Sequence, residues 1–196
     1  GRWGDSLHLL DTAQEAFSAS EECCREVLRI GNHRWLGHLV GARLEEATET
    51  LLEIAGQSID EEVRAKALTA STLLISCSRR AEDIERLGQL SGMLLPACDD
   101  EYTRIHLLHA SAWHLAHTGS PQDALPLLEE GVALIRRTGT ASSIATRTFL
   151  GAGVTHCQGG RYETAEPLLQ EAYELAKRLD NPALMANAAS GMALVS

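Results

Sequence analysis

Side chains suited to ligand contact are concentrated in one segment near the middle of the chain. Spacings of three and four residues separate His106, His109, Trp113 and His117. Each residue of an α-helix turns the chain by about 100°, so these four side chains fall within roughly 80° of one another. Imidazole donates or accepts hydrogen bonds and changes its charge near neutral pH, while indole offers a large apolar surface. The segment therefore predicts one helix face with ligand-binding chemistry.

Other interpretations of this segment stay open. The histidines would be solvated surface residues if their spacing is incidental, and Trp113 would then pack between neighbouring helices. Metal binding is a third interpretation, but the pairs His106/His109 and His114/His117 lack a nearby cysteine or carboxylate to complete a ligand set. We therefore predict that the protein holds no metal and needs no cofactor.

Catalytic motifs are missing from the sequence. It contains no GxSxG, no HExxH and no glycine-rich phosphate loop of the form GxxxxGK[ST]. We therefore predict that the protein is not an enzyme.

The elements that must position the histidine face are helices, arranged as a repeat. The stretches 119–128 and 160–169 share a glycine, a small residue, a proline and a double leucine. The same frame places a small-residue position at Ser6, Ala47, Ile84, Ala124 and Ala165, with intervals of 41, 37, 40 and 41 residues. Near-equal intervals of this length are typical of stacked helical units.

A second helical segment precedes the repeated frame, as at 62–77, 102–117 and 143–157. No segment has the alternation of a strand, and Asn181-Pro182 has the residue types that begin a helix. We predict an all-α fold, an α-solenoid of about ten helices in about five antiparallel pairs. This solenoid forms a single repeat domain over residues 1–196. The chain starts and ends inside helical patterns, so we expect a fragment of a longer protein.

Composition limits the partners of the chain. Its 196 residues carry 27 Asp and Glu against 17 Lys and Arg, a net charge of -10 that disfavours contact with nucleic acid or an anionic membrane. No apolar run is long enough to span a membrane. Five cysteines without CxxC spacing predict a reducing compartment, the cytoplasm.

The repeat resembles the tetratricopeptide repeat, in which small residues stand where helices A and B of a pair cross. Two sets of residues fall on the family's small positions or on their large partners. They are Ala112, Gly119, Pro121, Ala124 and Leu128, followed by Gly153, Gly160, Tyr162, Ala165 and Leu169. The repeat length near 40 residues and the recurring Pro-Leu-Leu sequence resemble the repeat arrays of large MalT-like, LuxR-type bacterial transcriptional regulators.

The resemblance implies that A-helix residues line a concave ligand-binding groove. The matching positions are Arg29, Lys66, His106, His109, Trp113, His117, Arg147 and Val154. Leu36, Leu73 and Met192 fall in the same column as Trp113 and Val154. The basic edge and apolar middle of this groove indicate a ligand with an apolar body and an anionic or hydrogen-bonding end.

Two functional hypotheses follow, beside a third in which the chain is a structural spacer without a ligand. In the first, the groove binds a small-molecule effector and the chain is the sensor domain of a transcriptional regulator, as the resemblance implies. In the second, the chain is a protein-protein interaction scaffold, and a peptide or partner helix occupies the same groove. The open terminal helix from Pro182 onward predicts homo-oligomers that associate end to end.

Overall fold

Eight α-helices make up most of the structure, a computed structural model that describes residues 44–58, 60–78, 80–119 and 121–195. They are α1 (Leu44–Gln57), α2 (Glu61–Ser78), α3 (Ala81–Leu94), α4 (Glu101–Thr118), α5 (Leu125–Thr138), α6 (Ser143–Gln158), α7 (Tyr162–Arg178) and α8 (Pro182–Met192). Short 3-10 turns follow α3 at Leu95–Ala97 and precede α5 at Pro121–Ala124. The described residues contain no strand, so the predicted all-α class is confirmed.

The chain forms two compact units that divide between Leu90 and Ser91. In the described part of the first unit, α1 packs against α2, and buried leucines and alanines such as Leu52, Ala55 and Leu68 fill the contact. An ion pair between Arg86 Nη1 and Glu49 Oε1, 2.6 Å apart, links α3 to α1.

The second unit consists of two layers of helices. Each helix from α4 to α8 packs against its successor in the chain, and α6 also contacts both α4 and α8. We call α4, α6 and α8 the A layer, and α5 and α7 the B layer. The core between the layers is built from residues such as Ile105, Leu108, Leu128 and Phe149. This is the antiparallel helix-pair stacking that the repeat predicts.

Glycine and alanine occur where the predicted repeat needs them. Ala124 and Ala165, the small residues of the two best copies, are both fully buried. A Cβ atom on Gly153 would lie 2.7 Å from Leu169 Cγ, so only glycine lets α6 and α7 approach this closely. Gly139 ends α5 in the left-handed conformation, with φ of 69°, where a side chain would be strained.

Polar caps begin the A-layer helices. The carboxylate of Asp100 accepts a hydrogen bond from Thr103 N at 2.7 Å, and this bond lowers the pKa of Asp100. The Ser142 hydroxyl accepts from Ala145 N, and the Asn181 side chain accepts from Leu184 N at 3.1 Å. The predicted helix start at Asn181-Pro182 is therefore confirmed.

Loss of the Asn181 cap gives a first testable prediction. Asn181→Ala leaves Leu184 N without its acceptor, so we expect the free energy of unfolding to fall by about 1 kcal/mol. The matched control is Asn187→Ala, an exposed site inside the same helix, where the better helix propensity of alanine gives no loss. Urea titrations followed by circular dichroism measure both. Equal losses in the two variants would contradict a capping role.

Candidate functional site

The predicted histidine face lies on α4, but it is not uniformly solvated. His106 and His109 are buried, with 7% and 8% of their surface exposed, while Trp113 is partly exposed and His117 is exposed. The interpretation of all these histidines as solvated surface is therefore wrong for the first two. Residues on every side of this stretch of α4 are covered, because Leu107, Leu108 and Ala110 are buried as well.

His106 is held by a ring contact within its own helix. The edge of its imidazole meets the Tyr102 ring, with centroids 5.0 Å apart and an interplanar angle of 70°. This is the edge-to-face geometry that aromatic pairs prefer, and the spacing of four residues places both rings on one side of α4.

His109 is a buried polar group with unused hydrogen-bonding capacity. Its Nδ1 has no hydrogen-bond partner among the described residues. Burial, and secondarily the charges of Arg147 and His106, lower the pKa of His109 from 6.5 to about 3. The ring is therefore neutral at pH 7. A buried nitrogen without a partner costs free energy, so it is unusual in a position that serves packing alone.

Arg147 brings a positive charge to His109 from the neighbouring A-layer helix, α6. Its side chain is partly buried, and burial lowers the pKa of its guanidinium, which nevertheless stays charged. No hydrogen bond or ion pair joins Arg147 to any other described residue. The structure thus brings together two of the predicted site residues, a fixed cation and a neutral imidazole.

Three other arginines of the second unit form ion pairs that Arg147 lacks. Arg104 contacts Glu130 at 2.7 Å, while Arg136 and Arg137 contact Glu171 and Glu101, each at 2.5 Å. Those three arginines link helices, and a glutamate compensates the charge of each. The charge of Arg147 has no such partner among the described residues. A partly buried cation without a counter-ion is a favourable place for an anionic group.

Trp113 and His117 form an aromatic pair near the end of α4. Their rings are stacked, with centroids 3.8 Å apart and an interplanar angle of 22°. His117 Nδ1 lies 2.8 Å from the Trp113 carbonyl oxygen, so Nδ1 donates this bond and fixes the imidazole against the indole. The pair presents a rigid, partly exposed ring surface one to two helical turns beyond His109.

Val154 supplies an apolar position on α6. It is partly buried and packs against the small cluster of Cys157, Ala165 and Leu169, which Met192 of α8 also contacts. Val154 follows Arg147 by seven residues, so both side chains lie on the same side of α6, roughly 10 Å apart along its axis. In both α4 and α6, therefore, a polar site residue precedes an apolar or aromatic one.

The remaining predicted site residues lie elsewhere. Lys66 belongs to the first unit, where its ammonium forms an ion pair with Glu62 of the same helix. Arg29 and Leu36 fall outside the described residues, as does the side chain of Leu73. The groove assignment of Lys66 and Arg29 stays a prediction.

A second polar cluster, which the sequence did not indicate, surrounds His156. Arg161 Nε donates to His156 Nδ1 at 3.0 Å, and the other ring nitrogen lies 3.4 Å from Glu129. Gln122 binds both Arg161 and the Thr155 carbonyl, so the cluster links the turn before α5 to the turn after α6. Burial first, and then Arg161, lower the pKa of His156, while Glu129 raises it. These groups satisfy one another, and the cluster serves the fold.

The described part of the chain contains neither a cluster of metal ligands nor a helix that could span a membrane. No three His, Cys, Asp or Glu side chains are placed there to hold a metal ion. None of the helices described for residues 44–195 combines the length and hydropathy that a membrane span requires.

Comparison with known proteins agrees with this geometry. Residues 103–178, from the start of α4 to the end of α7, match the tetratricopeptide repeat family. A search of curated proteins finds no match to the chain. Tetratricopeptide repeats generally mediate protein-protein interactions, and helical repeat folds of this type are typically non-enzymatic scaffolds. The helix pairs of the second unit therefore form a tetratricopeptide-repeat-like array.

Proposed function

We propose that this chain is a binding module that captures an acidic segment of a peptide or protein partner on its A layer. The observation that carries the proposal is Arg147, a partly buried cation with no counter-ion among the described residues, whose charge acts on the buried ring of His109 with its unpartnered Nδ1. A carboxylate of the partner would accept hydrogen bonds from the guanidinium and would supply the missing charge.

The apolar part of the ligand contacts the aromatic pair and Val154. Trp113 and His117 offer a stacked, preorganised surface, which reduces the entropy lost when a side chain packs on it. Tryptophan is enriched among the residues that contribute most to binding energy at interfaces. A ligand with an acidic residue next to apolar ones therefore fits the order of side chains along both helices.

A second candidate function is effector sensing within a bacterial transcriptional regulator. It is favoured by the burial of His109, since an enclosed polar position suits the carboxylate of a small organic acid. In that case the effector occupies the same residues, and adjoining modules respond to the change in occupancy.

Selection of random peptides by the immobilised chain tests the proposal and gives our second prediction. We expect the recovered peptides to be enriched in Asp and Glu beside apolar residues, and we expect Arg147→Gln to abolish the acidic enrichment. The matched control is Arg178→Gln, at the exposed end of the B-layer helix α7, which should leave the enrichment unchanged.

The outcomes separate the two candidates. If no peptide is enriched, but small organic acids raise the melting temperature of the wild type and not of Arg147→Gln, effector sensing replaces peptide capture. Enriched peptides without acidic residues, or an enrichment that Arg147→Gln retains, would overturn the anionic class of the ligand.

A further inference from the structure

The imidazole of His109 is a titratable group on which the charge of Arg147 acts. It is more than nine-tenths buried, its Nδ1 has no hydrogen-bond partner in the described residues, and its neighbour across the layer is the Arg147 cation. With a neutral imidazole, the pair of Arg147 and His109 carries one positive charge. Protonation of His109 would add a second positive charge.

Charged groups surround His109 on the helices of the second unit. Arg147 faces it from α6, and His106 lies one turn away on α4. The four charged residues of α5 are engaged with other partners. They are Glu129 with His156, Glu130 with Arg104, Arg136 with Glu171 and Arg137 with Glu101. Asp123, in the turn before α5, lies beside Gly119 at the far end of α4.

No carboxylate among these groups contributes to the pKa shift of His109. Burial and the Arg147 charge both disfavour the imidazolium, and together with His106 they lower the pKa of His109 to about 3. An anion bound against Arg147 would reverse the local charge. The anion would compensate the positive charge of the guanidinium, and it would accept a hydrogen bond from the protonated ring. Both changes favour the imidazolium.

We infer that Arg147 and His109 form a proton-linked carboxylate site, in which binding of the anion is accompanied by protonation of His109. This inference rests on the proposed function, because it assigns the acidic group of the ligand to these two residues. The proton comes from solvent and is released when the ligand leaves. By linkage, the affinity for a carboxylate rises as the pH falls, by up to tenfold for each pH unit below the pKa of His109 in the complex.

Formate is the probe for the test, because it is a bare carboxylate that stays ionised between pH 5.5 and 8. Its dissociation constant is measured at fixed ionic strength from NMR shifts of chain labelled at the histidine rings, with formamide as the neutral analogue. We expect formate to bind at least fivefold more tightly at pH 5.5 than at pH 8, and to raise the pKa of His109. Formamide should do neither. This is our third prediction.

Variants separate the failure of this inference from the failure of the proposed function. His109→Gln keeps a polar side chain that cannot titrate, so formate should bind it with an affinity independent of pH. His114→Gln, a control on the same helix, should retain the pH dependence. Formate binding that requires Arg147 but does not change with pH would overturn the proton linkage alone. If formate causes no shift of the His109 ring at any pH, the anion site is overturned, and with it the proposed function.

Measuring the pKa of the His109 ring in the wild type, with and without formate, gives a test that does not depend on how well the variants fold. An increase on addition of formate supports the linkage, and a pKa that stays constant while formate binds overturns it.

Discussion

Replacing Leu169 by alanine is expected to lower the free energy of unfolding by about 2–5 kcal/mol, the range for fully buried leucines that leave a cavity. Leu169 has no exposed surface and lies in the B layer between two A-layer helices. Cβ atoms built on Gly153 of α6 and Gly191 of α8 would lie 2.7 and 2.8 Å from Leu169 Cδ2. The leucine therefore fills a space that two glycines leave open, and no neighbour replaces it when it is shortened.

The reverse substitution should also destabilise the fold, for the complementary reason. In Gly153→Ala the new methyl group collides with the buried side chain of Leu169, so we expect a loss of about 1–3 kcal/mol. Combining Gly153→Ala with Leu169→Ala removes the collision and partly fills the cavity. We expect the double variant to lose at least 1 kcal/mol less than the sum of the single losses.

Denaturant titrations of the four chains measure this coupling. Gly92→Ala is the matched control, because a Cβ atom at this helical glycine meets nothing within 4 Å, and it should gain about 1 kcal/mol from helix propensity. Additive losses in the double variant would show that glycine and leucine do not pack against each other as the helix-pair crossing requires.

Acidification is expected to destabilise the protein through its buried histidines. The pKa of His109 is about 3 in the folded chain and 6.5 when exposed, so the unfolded state binds the extra proton as the pH falls below 6.5. Stability contributed by the neutral ring is complete above pH 6.5. It is lost at about 1.4 kcal/mol for each pH unit until the pH approaches 3. His156, whose pKa is also lowered, adds a change of the same sign.

Urea titrations at pH 7.5, 6.5 and 5.5 measure this effect above the range in which ordinary carboxylates protonate. His109→Gln should reduce the slope by up to about 1.4 kcal/mol per pH unit, whereas the exposed His117→Gln should leave it unchanged. A slope that is the same in the wild type and His109→Gln would contradict the burial of a neutral ring at this position.

Much of the fold follows from short-range patterns in the sequence. The recurrence of Gly, Ala and Leu at 119–128 and 160–169 predicted the helix crossings, and Ala124 and Ala165 are indeed fully buried at them. Caps such as Asn181 were predictable because capping depends on residues within one turn. Such features need no knowledge of which helices become neighbours.

The candidate site depends on long-range contacts, and the sequence predicted it less completely. Spacing on α4 placed the histidines on one face, but burial of His106 and His109 depends on the elements packed around that helix. Arg104, Arg136 and Arg137 find glutamates 26 to 36 residues away in the sequence, whereas the partly buried Arg147 finds none. The pattern within one helix cannot indicate which of several arginines keeps an uncompensated charge. The same reason explains why the cluster around His156 was missed.

The assignment of the anion site to Arg147 is tested most directly by the dissociation constant of one selected acidic peptide for three chains. Loss of a charge-assisted hydrogen bond in a partly buried site should weaken binding to Arg147→Gln by roughly 10- to 100-fold, about 1.4–2.7 kcal/mol. Binding to Arg178→Gln should stay within about twofold of the wild type, because Arg178 is exposed on the B-layer helix α7 and the ligand is placed on the A layer. Equal affinities of the wild type and Arg147→Gln, or a larger loss in Arg178→Gln, would contradict the placement of the ligand on the A layer.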